Sequence, residues 1–248
     1  MTLPARPEPW RRLLAEFLGT GLLVTVIVGS GIAASRLSTD PGLRLLENGL
    51  ATALGLAVVI LMVGPVSGAH LNPLVSIADG LLGRRNPGAL TARAVIGYGA
   101  MQFAGAIGGA VLADAMFGVP TTISVTERAS WPHLLAEVVA TAGLVLLIFS
   151  LARAGRPAVT AAAVGAYVGA AYWFTSSTAF ANPAITVGRM FSDTFAGIAP
   201  LDALAFVAAQ LVGAAIGIGL VLLLHPGAAA TADRAVVPIV EEPRRPQP

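Results

Sequence analysis

Six long apolar runs, at residues 13–34, 43–63, 94–117, 133–151, 159–180 and 202–224, leave this chain one solvent in which to fold. Each is near the roughly 20 residues that a helix needs to cross a hydrocarbon core about 30 Å thick, where every backbone N–H and C=O must find its partner inside the protein. Helices meet that demand one segment at a time. With 56% hydrophobic and only 11% charged residues, the 248-residue chain also lacks the polar surface that would cover a water-soluble globule. The first run follows Arg11 and Arg12 as a signal peptide would, but it is too long and five more runs come after it. The expected fold is therefore an all-α membrane protein with six spans. Two shorter apolar stretches, near residues 70–81 and 182–192, carry an Asn-Pro pair and are half the length of a span. They are expected to enter the membrane and turn back.

Several chemistries are excluded by residue type. The chain has no Cys, which removes disulfides, thiolate metal sites and thiol nucleophiles. All fifteen basic residues are Arg, so no Lys is present for Schiff-base chemistry, and a net charge of +2 is too small to draw nucleic acid. His70, His133 and His225 are scattered, with no Ser-His-Asp grouping and no metal-ligand spacing. Neither an enzyme nor a cofactor is implied. The arginines orient the protein: Arg6, Arg11, Arg12, Arg84, Arg85, Arg93, Arg153, Arg156, Arg234, Arg244 and Arg245 fall on one side of the spans, against Arg36, Arg44, Arg128 and Arg189 on the other. The positive-inside bias then puts both termini in the cytoplasm, with the spans in the inner (plasma) membrane. Residues 1–10 are expected to be a cytoplasmic tail, and residues 227–248, rich in Ala, Pro and charge, a disordered one.

The chain repeats itself. Leu13-Leu14-Ala15-Glu16 is echoed by Leu134-Leu135-Ala136-Glu137, the segment around Gln102 by that around Gln210, and Ser67 through Leu74 by Ser177 through Ala184, in the same order. Residues 11–118 and 133–226 thus read as two repeats of three spans and one half-helix, joined by an extracellular loop at 119–132. An odd number of spans per repeat requires the second to lie inverted relative to the first. The two Asn-Pro segments then enter from opposite faces.

Proline suits the first helical turn, and a preceding Asn caps the exposed N–H groups, so Asn72-Pro73 and Asn182-Pro183 each start a half-helix. Meeting at the midplane, the two helix starts would oppose cations with their positive dipole ends. The Asn amides could then donate to a passing solute. The segments before them, Gly68-Ala69-His70-Leu71 and Thr178-Ala179-Phe180-Ala181, are expected to be extended and to face a wet path and not lipid, with the carbonyls of Gly68, Ala69, His70, Thr178 and Phe180 as candidates. Donors at the centre and acceptors along one wall suit neutral hydroxyl-bearing molecules. Glu16, Glu137, Gln102 and Gln210 are expected to pin this irregular backbone by hydrogen bonds in preference to relaying protons. Gly105 with Gly109, and Gly213 with Gly217, have the spacing of close helix contacts in lipid.

These doubled motifs, Ser67-Gly68-Ala69-His70-Leu71-Asn72-Pro73 and Asn182-Pro183-Ala184 with paired Glu and Gln, resemble the aquaporin and glycerol-facilitator (major intrinsic protein) family over about residues 10–225. The resemblance implies a bundle of six helices and two half-helices, a pore in every subunit and a homotetramer in the lipid bilayer. Two departures stand out. Leu74 occupies a position where the family usually has Ala, and Ile185 stands where its narrowest point usually has Arg. Carried over without gaps, the other narrowing positions fall on Thr52, Ala170 and Ala179, giving with Ile185 a wider and less polar filter than one strict for water. Arg189, four residues after Ile185, is a candidate for the outer vestibule, and Asp79 is its counterpart in the first half-helix. The bland alternative has both snorkelling to the interface or pairing with neighbours. Residues 192–200 and 172–177 are similar to a bacterial subgroup associated with arsenic resistance. That likeness implies small neutral cargo such as arsenite, As(OH)3, or methylated arsenicals, with glycerol as the alternative. The rival reading is a secondary transporter, which inverted repeats also build, but coupling needs a midplane carboxylate and none is evident.

Overall fold

The computed structural model describes residues 7–84, 89–152 and 157–225. Arg6, Arg85, Arg153, Arg156 and the tail expected at 227–248, with its three arginines, lie outside them. Among the described residues the chain is all-helical: α1 (Pro9–Leu37), α2 (Pro41–Ser67), α3 (Pro73–Leu82), α4 (Ala92–Phe117), α5 (Trp131–Leu151), α6 (Pro157–Phe174), α7 (Pro183–Gly188) and α8 (Pro200–Leu224), with a 3-10 turn at Arg189–Phe191. Helices α1, α2, α4, α5 and α8 are long and apolar enough to cross a membrane. The sixth expected crossing is the shorter α6, and α3 and α7 are the two half-helices.

The fifth span departs from expectation. Its apolar run continues to residue 180, yet the helix stops at Phe174. Thr175 turns its hydroxyl back onto the Ala171 carbonyl at 2.6 Å, and Ser177 gives its own to Glu137, so this polar cluster ends the helix. Ala179 and Phe180 are buried all the same. Hydropathy reports burial, and here the buried segment is a loop. Elsewhere the helices outrun the apolar stretches because side chains cap them: Asp40 accepts from Leu43 N at 2.7 Å, and Thr91 from Ala94 N at 3.2 Å.

Packing carries the repeat into three dimensions, with α1 against α4 in the first half and α5 against α8 in the second. Both contacts are made by backbone. A methyl group at Gly105 would strike the Phe17 carbonyl, and one at Gly109 the Gly21 carbonyl; in the mirror pair, Gly213 and Gly217 leave only 2.5 Å to Val138 O and 2.8 Å to Ala142 O. Small residues here let the helices approach where lipid offers no hydrophobic drive between them. Gly109→Ala is therefore expected to cost about 1–3 kcal/mol by overpacking, read as earlier thermal unfolding in detergent. Gly108→Ala, at a position with open space around it, is the matched control and should unfold with the parent.

Candidate functional site

Asn72 and Asn182 organise the centre. Asn72 Oδ1 caps α3 by accepting from Leu74 N at 2.9 Å, and Asn182 Oδ1 caps α7 by accepting from Ala184 N at 3.0 Å and Ile185 N at 3.4 Å. With the oxygens held, each amide nitrogen faces across to the other repeat. Asn72 Nδ2 donates to Ala181 O at 2.9 Å, and Asn182 Nδ2 donates to Leu71 O at 2.7 Å. The two half-helices thus meet start to start, tied by a reciprocal pair of bonds. Each amide has two N–H groups, so one remains for the lumen. The acceptors Leu71 and Ala181 end the two segments whose carbonyls were expected to face the wet path; in the structure these two accept from the Asn amide of the opposite repeat.

The loops preceding the two caps share one unusual backbone. Ala69 and Leu71 in the first, and Thr178, Ala179 and Ala181 in the second, have φ between 47° and 63°, and Gly68 has φ 90°. Side chains resist this left-handed region, at about 1–3 kcal/mol per residue, unless the surroundings over-determine it. Two carboxylates do so. Glu16 accepts from Ser67 Oγ (2.6 Å), His70 N (3.0 Å), Leu71 N (2.7 Å) and Gln102 Nε2 (2.7 Å). Glu137 accepts from Ser177 Oγ (2.6 Å), Phe180 N (2.9 Å), Ala181 N (2.8 Å) and Gln210 Nε2 (2.7 Å). Gln102 also reaches Ser76 and Gln210 reaches Thr186, which binds each half-helix to its long neighbour. Both Glu side chains are fully buried and saturated with donors, a geometry of fixation that leaves them no lumen to face.

A cavity runs past the Asn pair, from His70 on one side to Arg189 on the other. Leu23, Ile27, Leu56, Ile60, Ile148 and Val164 make its apolar wall, and the two loops make its polar one. Ala69, His70, Ala179 and Phe180 line it, whereas Gly68 and Thr178 lie back at the turns and do not. His70 is held by Ser76 Oγ, 3.1 Å from its Nδ1, and by the edge of Tyr98. Leu74 is buried in the hydrophobic core and does not line the cavity, and the same holds for Ala184.

Of the four expected filter positions, Thr52, Ala179 and Ile185 line the cavity. Ala170 does not, because it is exposed on the outside of α6. Helical geometry explains the correction. Val164, Val168 and Tyr172, spaced four apart, form the stripe of α6 that reaches the cavity, and Ala170 is about 200° of helical rotation from Val168. Tyr172 lines the cavity beside Thr52, its hydroxyl 3.1 Å from Thr52 Oγ1. Arg189 also lines the cavity and does not snorkel outward: it is 3% exposed, its Nε donates to the Ala196 carbonyl, and its guanidinium carbon sits 3.5 Å from the centre of the Phe180 ring. Asp79 is buried in α3 away from the cavity, so no inward-facing acid mirrors Arg189.

Comparison with known proteins agrees with this geometry. The family profile described as Major intrinsic protein matches residues 5–175. The chain is 47% identical over 218 residues to the aquaglyceroporin AqpS of Rhizobium meliloti (strain 1021), covering 87% of this chain and 91% of that protein. It is 36% identical over 105 residues to the propanediol uptake facilitator PduF of Citrobacter freundii, covering 42% of this chain and 36% of that protein. Among solved structures, the aquaglyceroporin from Plasmodium falciparum superposes with a TM-score of 0.68 at 19% identity, over 90% of this chain and all of that one, a likeness of fold.

Proposed function

The chain belongs to the major intrinsic protein family, and on that premise we propose that it is a passive channel for small uncharged solutes, water and glycerol-like polyols among them. The observation that carries the reading is the reciprocal bonding of Asn72 and Asn182 beside a cavity that passes both. Two positive helix starts and two free amide N–H groups at one level oppose cations while offering donors to hydroxyl oxygens. A carrier coupled through a carboxylate would need that group on the path. No Asp or Glu lines the cavity among the described residues, and Glu16 and Glu137 are consumed by four donors each.

The finer proposal concerns the filter. Thr52, Tyr172, Ala179 and Ile185 form it, with hydroxyls on one side and an aliphatic face on the other. Such a ring favours solutes with both a hydroxyl and an apolar face, and arsenite or its methylated derivatives fit that description along with glycerol. The protein would act as a homotetramer in the inner membrane with both termini cytoplasmic, its two repeats at 11–118 and 133–226. Leu46, Leu50, Leu54 and Val58, exposed on α2, offer the apolar faces that lipid or a second subunit would cover.

Stopped-flow light scattering of proteoliposomes tests the whole reading. Glycerol and arsenite gradients should relax faster than in empty vesicles, with rates linear in the gradient and indifferent to a proton gradient. Saturating, proton-dependent flux would replace the channel with a carrier.

A further inference from the structure

Two guanidiniums, those of Arg189 and Arg128, flank Phe180 at the Arg189 end of the cavity, and among the described residues neither makes an ion pair with a carboxylate. Arg189 presses one face on Phe180 and spends Nε on the Ala196 carbonyl, and no other hydrogen bond or ion pair engages it. None of its nitrogens is both sealed from solvent and unpaired, so its two terminal amino groups are reached from the cavity it lines. Arg128, in the loop between α4 and α5, lies 5.6 Å from the same Phe180 ring and is held by the Gly197 and Phe195 carbonyls at 2.5 and 2.7 Å. The nearby acids accept hydrogen bonds from other groups. Glu137 takes its four donors, Asp114 accepts from Ser192, Asp193 from Ser124 and Val125, and Asp202 from the backbone N–H groups of Arg128 and Ala129. A buried, stacked guanidinium with its outer edge free is the donor set for a planar two-oxygen acceptor, which it can grip with two parallel N–H groups.

We propose that Arg189, backed by Arg128 across Phe180, forms a binding site for a small planar monovalent oxyanion, of the nitrate or formate type, at this mouth of the pore. The hydroxyls of Tyr172 and Thr52 lie on the same cavity and can complete the shell. Beyond them the wall is aliphatic, with Leu56, Ile60 and Val164, and gives an anion little to replace its water. The anion therefore sits as a reversible plug and does not pass. Its binding is independent of which neutral solute the channel carries.

The test is calorimetric titration of the purified full-length chain with sodium nitrate and, separately, sodium formate, at constant ionic strength made up with sodium gluconate. Saturable binding is expected for the parent. Arg189→Gln should weaken it at least about tenfold, equivalent to about 1.4 kcal/mol, and Arg189→Lys less, since charge survives while the fork is lost. Arg128→Gln, which leaves the stacked group in place, should weaken it to a smaller degree and serves if the Arg189 variants fold poorly. A carboxylate source is indicated if formate binds tighter, an inorganic one if nitrate does. Absence of saturable binding to the parent, or equal binding by Arg189→Gln and Arg128→Gln variants, would overturn the site. Neither result decides which neutral solute the channel conducts.

Discussion

Glu137→Ala is expected to lower the thermal unfolding temperature in detergent by about 10 °C or more, or to abolish recovery of folded protein. The substitution strips one hydroxyl, one amide and two backbone N–H groups of their acceptor inside a site that water does not reach. Each stranded donor costs about 1–3 kcal/mol, so the total exceeds about 4 kcal/mol against a whole-protein stability of about 5–15 kcal/mol. For a chain of this size a kcal/mol corresponds to about 2–4 °C. The strained backbone at Thr178, Ala179 and Ala181 loses its restraint at the same time, and with it Phe180, the ring on which Arg189 is stacked. Glu137→Gln separates charge from shape. A carboxamide has one acceptor oxygen and presents its NH2 to the remaining donors, so an intermediate loss is expected. Glu16→Ala should match Glu137→Ala, because its four donors are the mirror set. An unfolding temperature within 2 or 3 °C of the parent, about 1 kcal/mol, would mean that these carboxylates do not restrain the loops.

The second large effect is on selectivity. Ile185→Arg is expected to depress glycerol and arsenite flux by about tenfold, or about 1.4 kcal/mol on the barrier, while water flux falls far less. In the proposed filter Ile185 supplies the aliphatic face, and Thr52 and Tyr172, which line the same cavity, supply the hydroxyls. A guanidinium there narrows the lumen and swaps an apolar contact for a hydrated charge, one helical turn from Arg189. The two charges also repel, so the new side chain is driven into the lumen and not toward its neighbour. Equal loss for water and glycerol in stopped-flow measurements would indicate general collapse of the bundle, and no loss would remove Ile185 from the filter. Tyr172→Phe probes the opposite side: it breaks the contact with Thr52 Oγ1, leaves the ring volume, and should shift the ratio of polyol to water flux with little effect on stability.

Much of this was legible before folding was considered. The apolar runs located the long helices, and Asn-Pro marked both half-helix starts because a cap and a first-turn proline are local chemistry. Glu16, Gln102, Glu137 and Gln210 stood out since a buried polar side chain in lipid must have a partner, and their twofold spacing implied equivalent partners. Three placements were not legible. The end of α6 at Phe174 was read too far along, because the apolar run was carried through Thr175-Ser176-Ser177-Thr178 to the buried Ala179 and Phe180. Ala170 was read as lining the lumen because a gapless carry-over takes no account of helix rotation, whereas the stripe through Val164, Val168 and Tyr172 obeys it. For Arg189 the sequence left a vestibule place and an interfacial one both open; the chain after α7 tightens into a 3-10 turn and lays the side chain across Phe180 on the cavity.

The amino-acid order by itself determined the solvent, the helices, the inverted pairing and the two capped starts, because each rests on composition, periodicity or contacts within a few residues. Only the tertiary structure decided which atoms border the lumen. That depends on the tilt and rotation of helices drawn together at Gly105, Gly109, Gly213 and Gly217, and on a loop path imposed by carboxylates more than forty residues away in sequence.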